Sequence, residues 1–231
     1  MKNKTLFIAK NISIVVGSVF LCFFLTYKIL RFWDEKSEQK QINQRIESAS
    51  LSEIQMSKIQ DGDIILRRGY GLLSDWVADY FNQSAYDVSH AGILYKKGEE
   101  WYVIHSLSAD NRNISGVIEE SLNSFLHYSQ ANKLVVVRVK NISSMQQNQL
   151  VSYAKEYVKM QTPFDKKGNI HDDSELFCTE LIWYILFYKM NYFPLPKEES
   201  SQKKLWYSMD GLTDESFFEI LLSTFENVNK F

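Results

Sequence analysis

From Ile12 to Tyr27 the chain carries no charged side chain, and counting back to Leu6 through Lys10 lengthens this apolar run to about 22 residues. A helix of that length crosses a hydrocarbon core of roughly 30 Å at about 1.5 Å per residue, with Lys10 reaching along its aliphatic stem to the interface. The residues after the run, Lys28-Ile29-Leu30-Arg31-Phe32-Trp33, hold no small-x-small pattern for a cleaved signal peptide. Phe20-Leu21 before Cys22 are too bulky for lipoprotein processing. Residues 1–33 therefore read as an uncleaved anchor, a single transmembrane helix. Basic residues on both flanks specify orientation weakly; a short tail inside, with the domain on the outer (periplasmic or extracellular) side, is the expected arrangement.

Residues 34–58 are polar, free of Gly and Pro, and carry Ile42, Ile46 and Ile54 at loose helical spacing, which predicts a helical stalk acting as a spacer. Residues 59–231 then form one domain. With 45% apolar and 14% aromatic residues the chain is neither disordered nor collagenous, and 2 Cys exclude a disulfide framework. The anchor holds five of the 26 basic residues and no acid, which leaves 21 basic against 28 acidic residues, a net of −7. So acidic a domain argues against a nucleic-acid partner, whose affinity comes mostly from phosphate neutralisation.

The turn Asp61-Gly62-Asp63 precedes a strand at Ile64-Ile65-Leu66, and Leu72, Leu73, Trp76, Val77, Tyr80 and Phe81 predict a helix over about 71–82. Strands are expected at 88–95, 101–106 and 134–139, and helices from Ser143 or Ser144 to Met160, from Phe177 to Met190, and from Thr213 to Glu226. The order is that of an α+β domain, an antiparallel sheet packed on helices.

Cys178 is the single cysteine outside the anchor and opens the most hydrophobic helix, where the partial positive charge of a helix start lowers a thiol pKa. An inert, packed cysteine is the plainer alternative. His90 and His105 lie on strands that, paired through residues 96–100, direct both imidazoles to one face. A thiol, a histidine to take its proton and a polar group to orient that histidine make an activated nucleophile. A metal site built from Cys178, His90 and His105 is the rival, but no paired ligand spacing supports it. No metal or cofactor is expected. His127 and His171 read as solvated. Glu180 either orients a catalytic group or holds a backbone amide, and Asp165, Asp172 and Asp173 either bind a cation or cap the following helix.

The strings Asp61-Gly62-Asp63-Ile64-Ile65, Ser89-His90-Ala91-Gly92-Ile93, Pro163-Phe164-Asp165 and Phe177-Cys178-Thr179-Glu180-Leu181-Ile182 resemble, in this order, the circularly permuted papain-like hydrolases, closest to the YiiX-like group of the NlpC/P60 superfamily. The resemblance covers about residues 59–190. It implies a permuted papain-like domain with Cys178 as nucleophile, His90 as general base and His105 as third residue. That third position is often a glutamate in this family, so Glu119 or Glu120 takes the role if the strands are offset. A neutral histidine there stabilises an imidazolium less than a carboxylate does.

The resemblance further implies cleavage of an amide or peptide bond, such as that of a cell-wall peptide, through an acyl-enzyme. A lipid acyltransferase or lipase with the same thiol chemistry is the alternative, motivated by the anchor and by the aromatic residues between Trp183 and Phe193. A catalytically silent binding module of the envelope is a third. The expected partners are thus an amide, peptide or lipid substrate and the membrane.

Overall fold

In the computed structural model, which describes residues 2–82, 85–108 and 114–226 and the side chains from residue 15 on, Asp61-Gly62-Asp63 sets the first strand in place. Gly62 adopts φ +83°, and a Cβ there would lie 3.0 Å from the Gln147 carbonyl oxygen, so the turn admits only glycine against the neighbouring helix. Asp61 accepts the Lys96 amide (2.7 Å), and fully buried Asp63 grips Arg138 with both oxygens (2.7 and 2.8 Å).

The long helix α1 (Lys2–Gln44) comes first; the snorkelling expected of Lys10 lies outside the described side chains. Its part from Val15 on is long and apolar enough to cross a membrane, a test that a signal sequence also passes. The helix ends at Gln44 instead of running on towards residue 58, and only a one-turn helix, α2 (Glu53–Met56), follows. Residues 34–45 bond to the domain: Asp34 and Gln41 accept the amides of Leu73 and Gly71, Arg45 donates to the His127 carbonyl, and Ile42 is buried.

Six antiparallel strands follow: β1 (Ile64–Arg67), β2 (His90–Lys97), β3 (Glu100–Leu107), β4 (Gly116–Ser121), β5 (Leu134–Val139) and β6 (Phe218–Ser223), in spatial order β4-β3-β2-β1-β5-β6. One face, through Ile64, Leu66, Ile93 and Ile104, packs on helices α5 (Ser144–Met160) and α6 (Cys178–Tyr184), and α7 (Glu199–Tyr207) packs on α6. The other, through Ile65, Leu94, Val103 and Val136, packs on α4 (Leu122–His127). Helix α3 (Leu72–Phe81) lies beside α1.

Two expectations are corrected. The helix expected from Thr213 to Glu226 is a short 3-10 turn, Asp210–Thr213, followed by β6, because the free edge of β5 offers a ladder to Phe218, Ile220 and Leu222. The helix expected from Phe177 to Met190 is α6 followed by a π-helical turn, Ile185–Lys189. The residues 116–127, for which neither strand nor helix was predicted, form β4 and α4, and α7 is likewise additional.

Candidate active site

Cys178 is the first residue of α6, and the segment before it is tied down on both sides. Ser106 Oγ on β3 donates to the Leu176 carbonyl (2.5 Å), and the Phe177 amide donates to Glu180 Oε2 (3.1 Å). Of the two roles open to Glu180, it therefore holds a backbone amide. Half-buried Cys178 shares a cleft of about 350 Å³ with His90, and Arg67, Phe164 and Phe177 also line it. Leu73, Val77 and Phe81 of α3 form one side, and Asp34 and Glu38 extend the lining from α1.

Register explains how the two histidines meet. His90 pairs with Arg67 of β1, and Ile93 pairs with Ile104, so Gly92 and His105 are opposite one another one step along. His90, Gly92 and His105 thus share a face. A Cβ on Gly92 would run into Val103 Cγ1 and lie 3.1 Å from His105 Cβ, so the glycine makes room for the imidazole. His90 Nε2 and His105 Nδ1 are 2.7 Å apart.

Behind them, His105 Nε2 stands 2.9 Å from Glu120 Oε1, and Glu120 Oε2 accepts a hydrogen bond from Ser124 Oγ (2.5 Å). Glu119, paired with Ile104, points to the opposite face and accepts from Tyr95 Oη (2.5 Å) and Lys97 Nζ (3.0 Å). Glu120 therefore stands behind His105, at the nitrogen that faces away from His90. Phe125 of α4 closes the group, with its ring 5.2 Å from His105, 5.9 Å from His90 and 4.7 Å from the Arg67 guanidinium.

Burial pushes the Cys178 thiol above its ordinary range. The amides of Ala91, Thr179 and Cys178 and the charge of Arg67 pull it the other way and do not prevail. The expectation of a pKa lowered by the helix start is corrected: desolvation outweighs it. Burial likewise raises Glu180, to about 8, although the Phe177 amide favours its charged form.

Ser89 ties α3 to β2, with its hydroxyl 2.5 Å from that of Ser74 while accepting the Gly69 amide (3.0 Å). Asp165 accepts the amides of Lys167, Gly168 and Asn169 and shapes the loop under Phe164. Asp172 and Asp173 do not cap α6: Asp172 accepts from Ser174 and Asn169, and Asp173 from Tyr157 and Lys189. His127 and His171 are exposed, as expected. Among the described residues no three His, Cys, Asp or Glu side chains are arranged to hold a metal ion. Sequence reasoning missed Arg67 and Phe125; the only trace of Arg67 was a charge at the end of a strand otherwise apolar.

Residues 58–217 match the family described as permuted papain-like amidase enzymes, YaeF/YiiX, C92. None of the curated proteins matches the chain. Among solved structures, the metalloprotein YiiX from Escherichia coli O157:H7 superposes with a TM-score of 0.54 at 20% identity, over 73% of this chain and 99% of that one. That likeness fixes the fold. The chain belongs to the permuted papain-like amidases of the YaeF/YiiX, C92 family, and is a cysteine hydrolase of that class.

Proposed function

We infer that the chain is a membrane-anchored thiol amidase, anchored through α1, in which Cys178 is the nucleophile, His90 the general base and His105 the residue that orients His90. The observation that carries this reading is the cleft shared by Cys178 and His90, backed by the contacts from His90 to His105 to Glu120. Glu120 draws the His105 proton to Nε2, so His105 Nδ1 accepts from His90 Nε2–H. His90 Nδ1 then carries the lone pair that takes the thiol proton.

Because the resting thiol sits above its ordinary pKa, its proton leaves during attack and not before. The sulfur bonds to the amide carbon, and the oxyanion is held by the Cys178 and Thr179 amides, which have no carbonyl partner at the start of α6. The C–N bond then breaks while the imidazolium returns the proton to the leaving amine. Water, deprotonated by His90, hydrolyses the thioester. A cell-wall peptide amide fits this chemistry.

The test is intact mass after rapid quenching with a panel of cell-wall peptides, comparing wild type with Cys178→Ala and His90→Ala. An acyl adduct on Cys178 is expected, absent in the first variant and slowed in the second by about 10²- to 10⁴-fold. Turnover retained by Cys178→Ala overturns the reading.

A second reading, acyl transfer from a lipid, draws on the apolar lining by Leu73, Val77, Phe81 and Ile114. Of the aromatic segment between Trp183 and Phe193, Trp183 and Phe187 are buried in the core, Tyr188 is exposed, and none lines the cleft. Movement of a labelled acyl chain between phospholipids, without amide cleavage, would establish it.

A further inference from the structure

Helix α3 carries two parallel apolar stripes at i, i+4, i+8 spacing. Leu73, Val77 and Phe81 line the cleft. Leu72, Trp76 and Tyr80, on the adjoining side, face outward with 51%, 50% and 72% of their surface exposed. The Trp76 ring lies 4.8 Å from Phe81 and 6.2 Å from Tyr80, which joins the two stripes into one surface. Only Ala78 of the ten residues is buried, and Asp75 turns away to pair with Arg68 at 2.7 Å.

The start of this helix is fixed to the part of α1 that follows its apolar run, at Asp34 and Gln41. Leu73 N donates to Asp34 Oδ1 and Gly71 N to Gln41 Oε1, both at 3.1 Å. Asp34 follows Phe32 and Trp33, themselves 52% and 63% exposed. Phe32 and Trp33 on α1 and the outer stripe of α3 thus expose apolar side chains on either side of the Asp34–Leu73 hydrogen bond.

We propose that the Leu72–Trp76–Tyr80 stripe docks on the headgroup boundary of the bilayer that α1 crosses. The inference rests on the reading of α1 as an anchor. Trp and Tyr settle at the membrane–water interface, where the ring is buried and its polar atom stays wet. The hydrogen bonds to Asp34 and Gln41 hold α3 close to that boundary, so docking is an intramolecular event at high effective concentration. Isolated exposed apolar side chains need no explanation, but a contiguous cluster marks an interaction surface. The cleft wall and the docked stripe belong to one helix, so docking presents the mouth of the cleft at headgroup depth, to amides carried at the membrane surface.

The test uses the full chain with Cys22→Ser and Cys178→Ala as background, carrying an environment-sensitive NBD label at Tyr80→Cys or at Glu99→Cys. Glu99 has a 96% exposed side chain in the turn at the far end of β2 from His90. Tyr80 is mostly exposed, so its replacement leaves the fold intact, and circular dichroism checks this. Both proteins are reconstituted in phosphatidylcholine–phosphatidylglycerol vesicles containing a shallow doxyl-lipid quencher, and flotation is scored first.

The expected result is a blue-shifted label at position 80, quenched roughly two-fold or more relative to position 99. Equal quenching at both sites in protein that floats overturns the docking and leaves the anchor standing. Protein that does not float overturns the anchor itself. A blue shift that grows with protein concentration and ignores the lipid quencher overturns the proposal in favour of a second copy of the chain.

Discussion

His90 Nε2 and His105 Nδ1 stand 2.7 Å apart on neighbouring strands, and Glu120 on the third strand lies 2.9 Å from the far nitrogen of His105. The order matters because each proton position fixes the next. In the proposed mechanism the carboxylate draws the His105 proton to Nε2, so that His90 donates from Nε2 and acts as the base through Nδ1.

Replacing Glu120 with Gln presents an amide that can donate to His105 Nε2, which pushes the His105 proton to Nδ1 and that of His90 to its own Nδ1. The base is then blocked. Glu120→Gln is expected to slow acylation of Cys178 by about 10²-fold. Glu119→Gln, which alters contacts with Tyr95 and Lys97 on the opposite face, should leave the rate unchanged. Equal effects of the two variants would remove Glu120 from the site.

The thiol itself gives a second prediction. Desolvation holds the Cys178 pKa above its ordinary value, and the Arg67 charge opposes that rise. Alkylation by iodoacetamide should therefore be slower at pH 7 than for a free thiol and should keep climbing beyond the free value of about 8.5. Arg67→Met should move the curve further up in pH. A thiol already ionised at pH 6 would sink this account.

The hairpin that unites His90 and His105, the strand after Asp61-Gly62-Asp63 and the helix opened by Cys178 were legible because each carries a local signal: alternation, a turn, an apolar helical run. Glu119 and Glu120 hid β4, since two adjacent carboxylates look like a solvated turn. They are tolerated because a strand sends them to opposite faces, one to Tyr95 and Lys97 and one to His105. Phe125 of α4 was out of reach for the same reason. Near the C-terminus, Phe218-Glu219-Ile220-Leu221-Leu222 satisfies helical and extended spacing equally, and the partner that decides, β5, lies some 80 residues earlier. The upward shift of Cys178 depends on packing around its sulfur, which no local pattern encodes.

Glu180 links the site to stability. Its pKa in the folded chain is about 8, raised by burial, against about 4.3 for an unfolded glutamate. The folded state therefore binds the proton more tightly. The stability this confers is complete below the unfolded value and is lost as pH rises towards 8. Glu180→Gln can still accept the Phe177 amide but does not titrate. Denaturant midpoints from pH 4 to 9 should show wild type weakening relative to Glu180→Gln across this window, by a few kcal/mol at most. Parallel curves would show that Glu180 stays ionised in the fold.

Asp63 and Arg138 test whether the Asp61-Gly62-Asp63 string serves architecture or chemistry. Asp63 is fully buried, holds Arg138 at 2.7 and 2.8 Å, and also accepts the Gln60 amide at 2.7 Å. Burial raises its pKa and Arg138 opposes the shift, so the carboxylate depends on its partner to stay charged. Asp63→Ala leaves a cation in the sheet without its counter-charge and an amide without an acceptor, at a cost of about 3–5 kcal/mol. Asp63→Leu with Arg138→Met removes both charges and should recover most of that loss. Neither Asp63 nor Arg138 lines the cleft. The double variant should therefore acylate Cys178 at the wild-type rate when assayed below its melting point. A stable double variant that fails to acylate would move this string from scaffold to active site.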